Sequence, residues 1–279
     1  MSEARISVLR SLLFVPASKP DMVAKVTRWH PDVVVVDLED AVAAEAKDAA
    51  RAGGIEAAEM VAADVTVLVR VNPCQSRWFE DDLAAVVGSR AHGVVLPKYE
   101  SIDDARAIRA ALPEASLLVV GLETARGIAG SEELLGAADV DAAYFGAEDY
   151  IGDVGGSRTT TGTEVIYARS RVLLAARLAG AAAIDQAVVE ITDDGRFLAD
   201  AQTGKSIGYD GKICVHPRQI GLAHEVFAPS PAELDHARAV LRTVRGSGVG
   251  TVDGKMIDEV HIRWALRVLG RPQEATGDR

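Results

Sequence analysis

Short apolar runs recur along the chain, and most are followed by a segment of helical character. The runs Leu12–Val15, Val33–Val36 and Val67–Asn72 have the length and the β-branched content of buried parallel strands. Further runs of this kind follow at 93–98, 117–120, 142–145, 182–185 and 211–215. Eight strand candidates therefore alternate with helices, which predicts an α/β fold, a (β/α)₈ TIM barrel. A doubly wound open sheet is the alternative that the pattern leaves open.

The C-terminal part of the chain exceeds what a barrel needs. Ser230 and Glu233 have the spacing of a helix start, and an amphipathic helix is predicted at about 257–269. We therefore assign residues 1–228 to a catalytic barrel domain and 229–279 to a C-terminal helical extension. Within the barrel, the glycine-rich, polar segment 151–162 is predicted to be a loop over the mouth, followed by a long helix from about 163 to 178.

Composition and charge narrow the functional classes. The 279 residues carry a formal net charge of −11, which argues against a nucleic-acid partner because phosphate binding needs a basic surface. No window approaches the length of a membrane-spanning apolar helix, and the first residues lack the features of a secretory signal. We expect a cytoplasmic protein with neither nucleic acid nor membrane as its partner.

Charged side chains follow several of the predicted strands where each strand ends. Glu39, Lys98, Glu123 and Asp149 occupy such positions. Because the carboxyl ends of barrel strands surround one mouth, the carboxylates after strands five and six can share a magnesium ion. Arg70 lies within an apolar strand, where an unpaired charge would be costly, so a partner or an anionic ligand is expected for it.

Ordered motifs along nearly the whole chain carry a family resemblance. These motifs are Arg10–Pro16, Asp37–Val42, Lys47–Arg51, Arg70–Asn72, Leu96–Lys98, Glu123–Ala125, Phe145–Asp149, Gly211–Lys212, His216–Ile220 and Asp253–Asp258. The chain resembles the citrate lyase beta subunit-like proteins, the acyl-CoA lyase branch of the HpcH/HpaI aldolase superfamily. Malyl-CoA and citramalyl-CoA lyases belong to the same branch.

The resemblance implies roles for particular residues. Glu123 and Asp149 match the Mg²⁺ ligands of the family, and Glu123 is also expected to bind the substrate. Arg70 matches the arginine that holds the substrate's oxygen atoms. Asp258 matches an aspartate that reaches the active site of a neighbouring subunit, usually in a homotrimer or a dimer of trimers. A simpler reading of Asp258 is that it caps the last helix. Lys19 and Lys25 are candidate contacts for the phosphates of coenzyme A.

The implied reaction is cleavage of a 3-hydroxyacyl-CoA thioester into acetyl-CoA and a 2-oxo acid, or the reverse condensation. Asp258 would act as general acid, and Glu39 or a metal-bound water as the base. The acyl group, whether malyl, citramalyl or 3-hydroxy-3-methylglutaryl, stays open because these differ by a methyl or a methylene. Three alternatives remain: a citryl-ACP lyase beta subunit of a citrate lyase complex, an aldolase for free 2-oxo acids, and a non-catalytic, CoA-ester-binding regulatory barrel.

Overall fold

The computed structural model describes residues 9–243, 250–252 and 254–270. Contacts between Cα atoms divide the chain into two compact units, Met1–Phe227 and Ala228–Arg279. Each unit is described by itself below. Within the described residues, no helix combines the length and the apolar character that crossing a membrane requires.

The first unit is built around a closed barrel of eight parallel strands that pair in sequence order. The strands are β1 (Ser11–Pro16), β2 (Val33–Asp37), β3 (Thr66–Arg70), β4 (Gly93–Leu96), β5 (Leu117–Leu122), β6 (Ala142–Phe145), β7 (Ala182–Asp185) and β8 (Gly211–Cys214). The barrel closes where β1 pairs with β8, with Ser11 opposite Lys212. This closure confirms the predicted (β/α)₈ barrel and excludes the open sheet.

Helices cover the outside of the barrel. They are α1 (Pro20–Val23), α2 (Lys47–Val61), α3 (Phe79–Val87), α4 (Ile102–Ala111), α5 (Ala125–Ala129), α6 (Ser131–Gly136), α7 (Ala147–Val154), α8 (Ile166–Ala179), α9 (Asp194–Ile207) and α10 (Arg218–Phe227). Short 3₁₀ turns lie at Val26–Trp29, Ala44–Ala46 and Thr163–Val165.

The loop predicted at 151–162 is wrong in its first part, because α7 continues to Val154. Ile151 is buried in the core on this helix, which anchors the turn despite the glycine at position 152. Gly155 ends the helix in the left-handed conformation, with φ of 69°. The glycine that stops the helix thus lies four residues after the start of the predicted loop.

The strands alternate in the direction of their side chains even where the sequence does not alternate in polarity. Val33 and Val35 pack inside the barrel, whereas Val34 and Val36 pack between the strands and the helices. Both faces of each strand are therefore buried, which is why the strands appear in the sequence as continuous apolar runs. The polar groups that remain at the carboxyl ends of the strands form the mouth.

The described residues of the second unit form two helices and a small hairpin. Its elements are α11 (Pro231–Thr243), β9 (Gly250–Val252), β10 (Lys255–Ile257) and α12 (Glu259–Val268). Ser230 and Glu233 cap α11 reciprocally, which confirms the predicted helix start. The antiparallel hairpin was not predicted, because strands this short carry too little periodicity to be recognised. Asp253 of the terminal motif lies outside the described residues.

Candidate active site

A cavity of about 370 Å³ opens at the carboxyl ends of the barrel strands. Its lining includes the predicted site residues Arg70, Glu123 and Asp149. Asp37, Asp40 and Glu148 add further carboxylates, and apolar wall is contributed by Phe14, Tyr144, Ala187, Ile213 and Val215. The cavity therefore has an acidic rim and an apolar wall.

Glu123 follows β5 directly and is 2% exposed. Its Oε1 accepts hydrogen bonds from the backbone N–H of Lys98 at 2.7 Å and from Tyr144 Oη at 3.1 Å. Burial is the main reason that the pKa of this carboxyl rises to about 7; nearby Arg70 opposes the rise, while the charges of Glu39 and Asp149 add to it. A cation bound at this carboxylate would relieve the cost of its charge.

Two glycines keep space open around the Glu123 carboxylate. A Cβ on Gly146 would lie 2.3 Å from Glu123 Oε2, and a Cβ on Gly121 would lie 2.9 Å from Oε1 and 2.3 Å from Tyr144 Oη. Real Cβ atoms do not approach this closely, so the positions require glycine for close approach rather than for backbone freedom. The two glycines therefore let the Glu123 side chain pack directly against the backbone at the end of β5 and β6.

Asp149 and Lys98 lie on the same rim. Asp149 is half-buried in the first turn of α7, and Lys98 Nζ is 3.6 Å from its Oδ1. Lys98 donates to Glu39 Oε1 at 2.5 Å and has a left-handed φ of 48°, which is uncommon outside glycine. Burial disfavours its charge, but the hydrogen bond to Glu39 and that residue's charge hold the pKa of Lys98 above its usual value. Lys98 therefore links Glu39 and Asp149, and its backbone holds Glu123.

Arg70 has the carboxylate partners that its place in an apolar strand demands. Its Nε and Nη2 each donate to one oxygen of Asp37 at 2.7 Å, a bidentate pair. Its Nη1 is 2.8 Å from Glu39 Oε2, yet that oxygen has no aligned hydrogen bond within the described part of the chain. Burial raises the pKa of Glu39, against the charges of Arg70 and Lys98. Glu39 is thus a buried carboxylate with a cation at each of its oxygens, and it lies behind Arg70 rather than in the lining of the cavity.

The donor set determines which metal fits. No group of three or more His, Cys, Asp or Glu side chains forms a metal cage within the described ranges. Glu123 and Asp149 supply two oxygen ligands on one cavity, which fits an ion that keeps several waters and binds through one or two carboxylates, as Mg²⁺ does.

The predicted coenzyme A contacts lie near a second, mainly apolar hollow. This groove of about 200 Å³ shares Phe14 and Val215 with the cavity and is also lined by Lys25, Met22 and Trp29. Met22 and Trp29 are each about half exposed. Lys19 is exposed at the N-cap of α1, outside the lining of the groove. The structure therefore brings Lys25, but not Lys19, to a hollow that adjoins the mouth.

Asp258 lies in the second unit, where it caps α12. Its Oδ1 accepts from the backbone N–H of Val260 at 3.0 Å and lies 2.8 Å from His261 Nδ1. The hydrogen bond with His261 is the main reason that the pKa of Asp258 is lowered. The prediction that Asp258 caps the last helix is therefore confirmed. Capping is compatible with a second role for the same carboxylate.

Tyr144 is a site residue that the sequence analysis did not single out. It lies in β6 with its ring inside the barrel and its hydroxyl on Glu123. The signal was present, because a tyrosine in an apolar strand needs a hydrogen-bond partner for its hydroxyl. The sequence could not say which partner, since β5 and β6 meet only in the folded barrel.

Comparison with known proteins bears on what this site does. A model of the HpcH/HpaI aldolase/citrate lyase family matches residues 10–217. The chain belongs to this family. The match covers all eight barrel strands from β1 to β8. The family resemblance found in the sequence is thereby confirmed.

Individual family members are similar over almost the whole chain. A citrate lyase subunit beta-like protein of Deinococcus radiodurans is 47% identical, over 94% of this chain and 97% of its own. The citrate lyase subunit beta of Escherichia coli is 34% identical, over 98% and 96% respectively. The crystal structure of the CitE protein of Mycobacterium tuberculosis, in complex with magnesium, acetoacetate and coenzyme A, superposes with a TM-score of 0.83. It is 31% identical and covers 94% of this chain and 97% of its own.

Proposed function

We propose that this member of the HpcH/HpaI aldolase/citrate lyase family is a Mg²⁺-dependent carbon–carbon lyase. Its substrate would be a 3-hydroxyacyl-CoA thioester, and its products acetyl-CoA and an oxo acid, or the reverse. The oxo acid is a 2-oxo acid for malyl-CoA and citramalyl-CoA and a 3-oxo acid for 3-hydroxy-3-methylglutaryl-CoA. The observation that carries the proposal is the pair Glu123 and Asp149 on one cavity, beside the Arg70–Asp37–Glu39 cluster. The magnesium and coenzyme A held by the CitE relative support the choice of metal and thioester.

Glu123 and Asp149 would hold a magnesium ion, which would supply Lewis-acid chemistry by lowering the pKa of the substrate's hydroxyl group and polarising the forming carbonyl. The protein's own contribution begins with orientation. The backbone N–H of Lys98 and the hydroxyl of Tyr144 hold Glu123 Oε1, which fixes this carboxylate in the lining of the cavity. The ligands are thus fixed before substrate arrives, so little reorganisation accompanies binding.

Glu39 is our candidate for the base that removes the hydroxyl proton. Burial raises its pKa, which strengthens it as a base, and its carboxylate contacts Arg70, which lines the cavity. As the carbon–carbon bond breaks, its electron pair passes to the acetyl thioester as an enolate. Arg70, fixed by Asp37 and in contact with Glu39, would stabilise the negative charge that develops.

Asp258 from a neighbouring subunit would exchange the last proton. The lowered pKa of this carboxyl favours the ionised form, which is the form that removes a proton from acetyl-CoA in the condensation direction. In the cleavage direction the same residue, once protonated, donates to the enolate. The homotrimer, the exchange of the 229–279 extension between subunits and a cytoplasmic location belong to this proposal.

The groove beside the mouth is the candidate path for coenzyme A. Its apolar wall suits the chain of the thioester, and Lys25 at its edge suits a phosphate. Lys19, exposed one residue before α1, can reach the phosphates only from outside the groove. Charge reversal at Lys25 should therefore raise KM for the thioester more than reversal at Lys19.

The acidity of the cavity bears on the alternatives. Among the described residues that line it, Arg70 alone is a cation, and Asp37 already neutralises it. A second free carboxylate on the 2-oxo acid, as in the product of citrate cleavage, would find no cation there. This favours a substrate with one carboxylate over the citrate lyase beta subunit alternative.

The deciding experiment is acetyl-CoA release from malyl-CoA, citramalyl-CoA and 3-hydroxy-3-methylglutaryl-CoA, with Mg²⁺ and with chelator. We expect Mg²⁺-dependent release from one of them, lost in Asp149→Ala and kept in the control Asp153→Asn, which lies on the same helix but outside the cavity lining. Release only from a citryl carrier-protein thioester would favour the citrate lyase alternative. Turnover of free 2-oxo acids without coenzyme A would favour the aldolase, and thioester binding without turnover the regulatory barrel.

A further inference from the structure

Lys47 is a buried lysine whose ammonium group is fully engaged with uncharged oxygens. It is 7% exposed at the first residue of α2. Its Nζ donates to the carbonyl of Leu38 at 2.8 Å, the carbonyl of Glu39 at 2.9 Å and Asn72 Oδ1 at 2.6 Å. The three protons of the ammonium therefore meet three acceptors in two different segments.

Burying this charge is costly, so its presence calls for a reason. Burial lowers the pKa of Lys47, and the carboxylates that oppose this effect act from a distance rather than as hydrogen-bond partners. The ring of Trp78 lies 5.1 Å from Nζ and adds a weak cation–π contact. An apolar side chain of similar length would avoid the desolvation but would remove one donor from each of the two carbonyls and from Asn72 Oδ1. The Leu38 carbonyl would keep only Asn72 Nδ2, and the Glu39 carbonyl only the backbone N–H of Val42.

The contacts of Lys47 continue into a buried network. Asn72 Nδ2 donates to the Leu38 carbonyl at 3.1 Å and to Asp82 Oδ2 at 2.6 Å. Asp82 in turn accepts from Arg51 Nε at 2.7 Å. Arg51 lies one helical turn after Lys47 on α2, so the network returns to the helix from which it started. It joins α2 and α3 to the ends of β2 and β3.

The segment held by this network is the one that carries Glu39. Lys47 Nζ donates to the backbone carbonyls of Leu38 and Glu39, and Asp37 accepts from the backbone N–H groups of Glu39 and Ala41 at 2.9 and 3.3 Å. The backbone of this segment is thus held through both its carbonyl groups and its N–H groups. The Glu39 side chain then projects to Arg70 and Lys98.

We propose that Lys47 is a positioning residue that fixes the Glu39 carboxylate at the barrel mouth through the Leu38–Glu39 backbone. Lys47 lies outside the cavity lining and acts through its neighbours. The inference rests on the proposed function only where it assigns Glu39 a part in catalysis. The mechanical part, that Lys47 immobilises residues 38–42, stands independently of any reaction.

The test compares Lys47→Met with Lys212→Met. Lys212 is the matched control, because it is also a buried lysine but its acceptors are Asp185, Asp200 and the carbonyl of Gln186. Amide hydrogen exchange is measured by mass spectrometry on both variants, together with kcat, KM and the Kd for Mg²⁺. For Lys47→Met we expect faster exchange confined to 37–43, kcat lowered about 10- to 100-fold and a largely unchanged Kd for Mg²⁺.

A general loss of stability would produce a different result. Lys212→Met should lower the melting temperature without faster exchange at 37–43. If Lys47→Met does not fold, Asn72→Ala removes one of the three acceptors and should give the same localised exchange with a smaller fall in kcat. Unchanged exchange at 37–43 in the folded variant would overturn the proposal. If the wild type shows no turnover while Lys47→Met still shows faster exchange at 37–43, the result contradicts the lyase function but not the positioning role of Lys47.

Discussion

At the scale of single residues, the buried carboxylate of Glu123 dominates the site. Its surroundings are arranged to hold a carboxylate rather than to exclude one, since Tyr144 and the Lys98 backbone both donate to it. Burial nevertheless raises its pKa to about 7, so part of the population is protonated at neutral pH without a metal. The site is therefore costly to the fold until a cation binds.

This cost predicts a pH-dependent effect of Glu123→Gln on metal-free stability. The pKa of this carboxyl is 4.5 at its ordinary value in the unfolded chain and about 7 in the folded protein. Between these pH values, the folded protein still holds a proton that the unfolded chain has already released. The wild-type free energy of unfolding therefore falls as pH rises through this window and is flat above it. At pH 8 the variant should be more stable than wild type by up to about 3 kcal/mol, with the difference vanishing near pH 4.5.

Urea unfolding at several pH values in chelator measures this difference. Glu148→Gln provides the control, because its carboxylate is exposed and pairs with Arg158 at the surface. A Glu123→Gln variant less stable than wild type at pH 8 would contradict the assignment of the buried charge. Saturating Mg²⁺ should reverse the order, since only the wild type can use both ligands.

At the scale of elements, the turn from β6 into α7 sets the geometry of the two proposed metal ligands. Gly146 connects the strand to the helix, and Asp149 lies in the first helical turn. A side chain at position 146 would collide with Glu123, which lines the same cavity as Asp149. Helix α7 is therefore part of the site as well as of the outer layer.

Gly146→Ala should damage the site more than a second glycine substitution on the same helix. The added Cβ would lie 2.3 Å from Glu123 Oε2, so we expect overpacking to cost about 1–3 kcal/mol and to weaken Mg²⁺ binding. Gly152→Ala is the matched control, because nothing lies within 4 Å of its added Cβ. It should leave metal affinity unchanged and stabilise the helix by about 0.5–1 kcal/mol. Calorimetry of unfolding and of Mg²⁺ binding separates the two variants.

The start of α12 combines a structural role with the proposed chemical role, and substitution can separate them. Asparagine caps helices about as well as aspartate, whereas alanine costs about 1 kcal/mol. Asp258→Asn should therefore keep the stability of the C-terminal unit but slow deuterium incorporation into acetyl-CoA in D₂O. Asp258→Ala should lose both. Equal exchange rates in the wild type and Asp258→Asn would leave capping as the only role of this residue.

At the scale of the whole molecule, we propose that Asp258 of one subunit serves the active site of another. The barrel unit supplies Arg70, Glu39, Glu123 and Asp149, while Asp258 belongs to the second unit. If the extension is exchanged, each active site combines residues from two chains. Such a site can be rebuilt from two inactive proteins.

Co-expression of Arg70→Met with Asp258→Asn tests this arrangement. Each variant alone should be nearly inactive, but mixed oligomers contain some sites with both residues intact and should recover a substantial fraction of the activity. Mixing Arg70→Met with Glu123→Gln is the control. Both substitutions lie in the barrel unit, so every barrel in a mixed oligomer carries one of them and no activity should be recovered. A mixture of Arg70→Met and Asp258→Asn without recovery, in oligomers that light scattering identifies as trimers, would contradict the exchange.

The sequence alone determined the eight strands and the place of Glu123 and Asp149 directly after two of them, because apolar runs and strand ends are local features. It predicted a barrel, but the pairing of β1 with β8 in the structure was needed to exclude an open sheet. The sequence was also enough to identify the family, because an ordered set of motifs can be recognised without a structure. Only the tertiary structure decided that Arg70 pairs with Asp37, that Tyr144 holds Glu123 and that Lys47 grips the backbone at Glu39. These contacts join residues far apart in the chain, and their partners depend on which strands become neighbours when the barrel closes. The loop at 151–162 was mispredicted for a related reason, because burial of Ile151 in the core outweighs the local preference of the glycines.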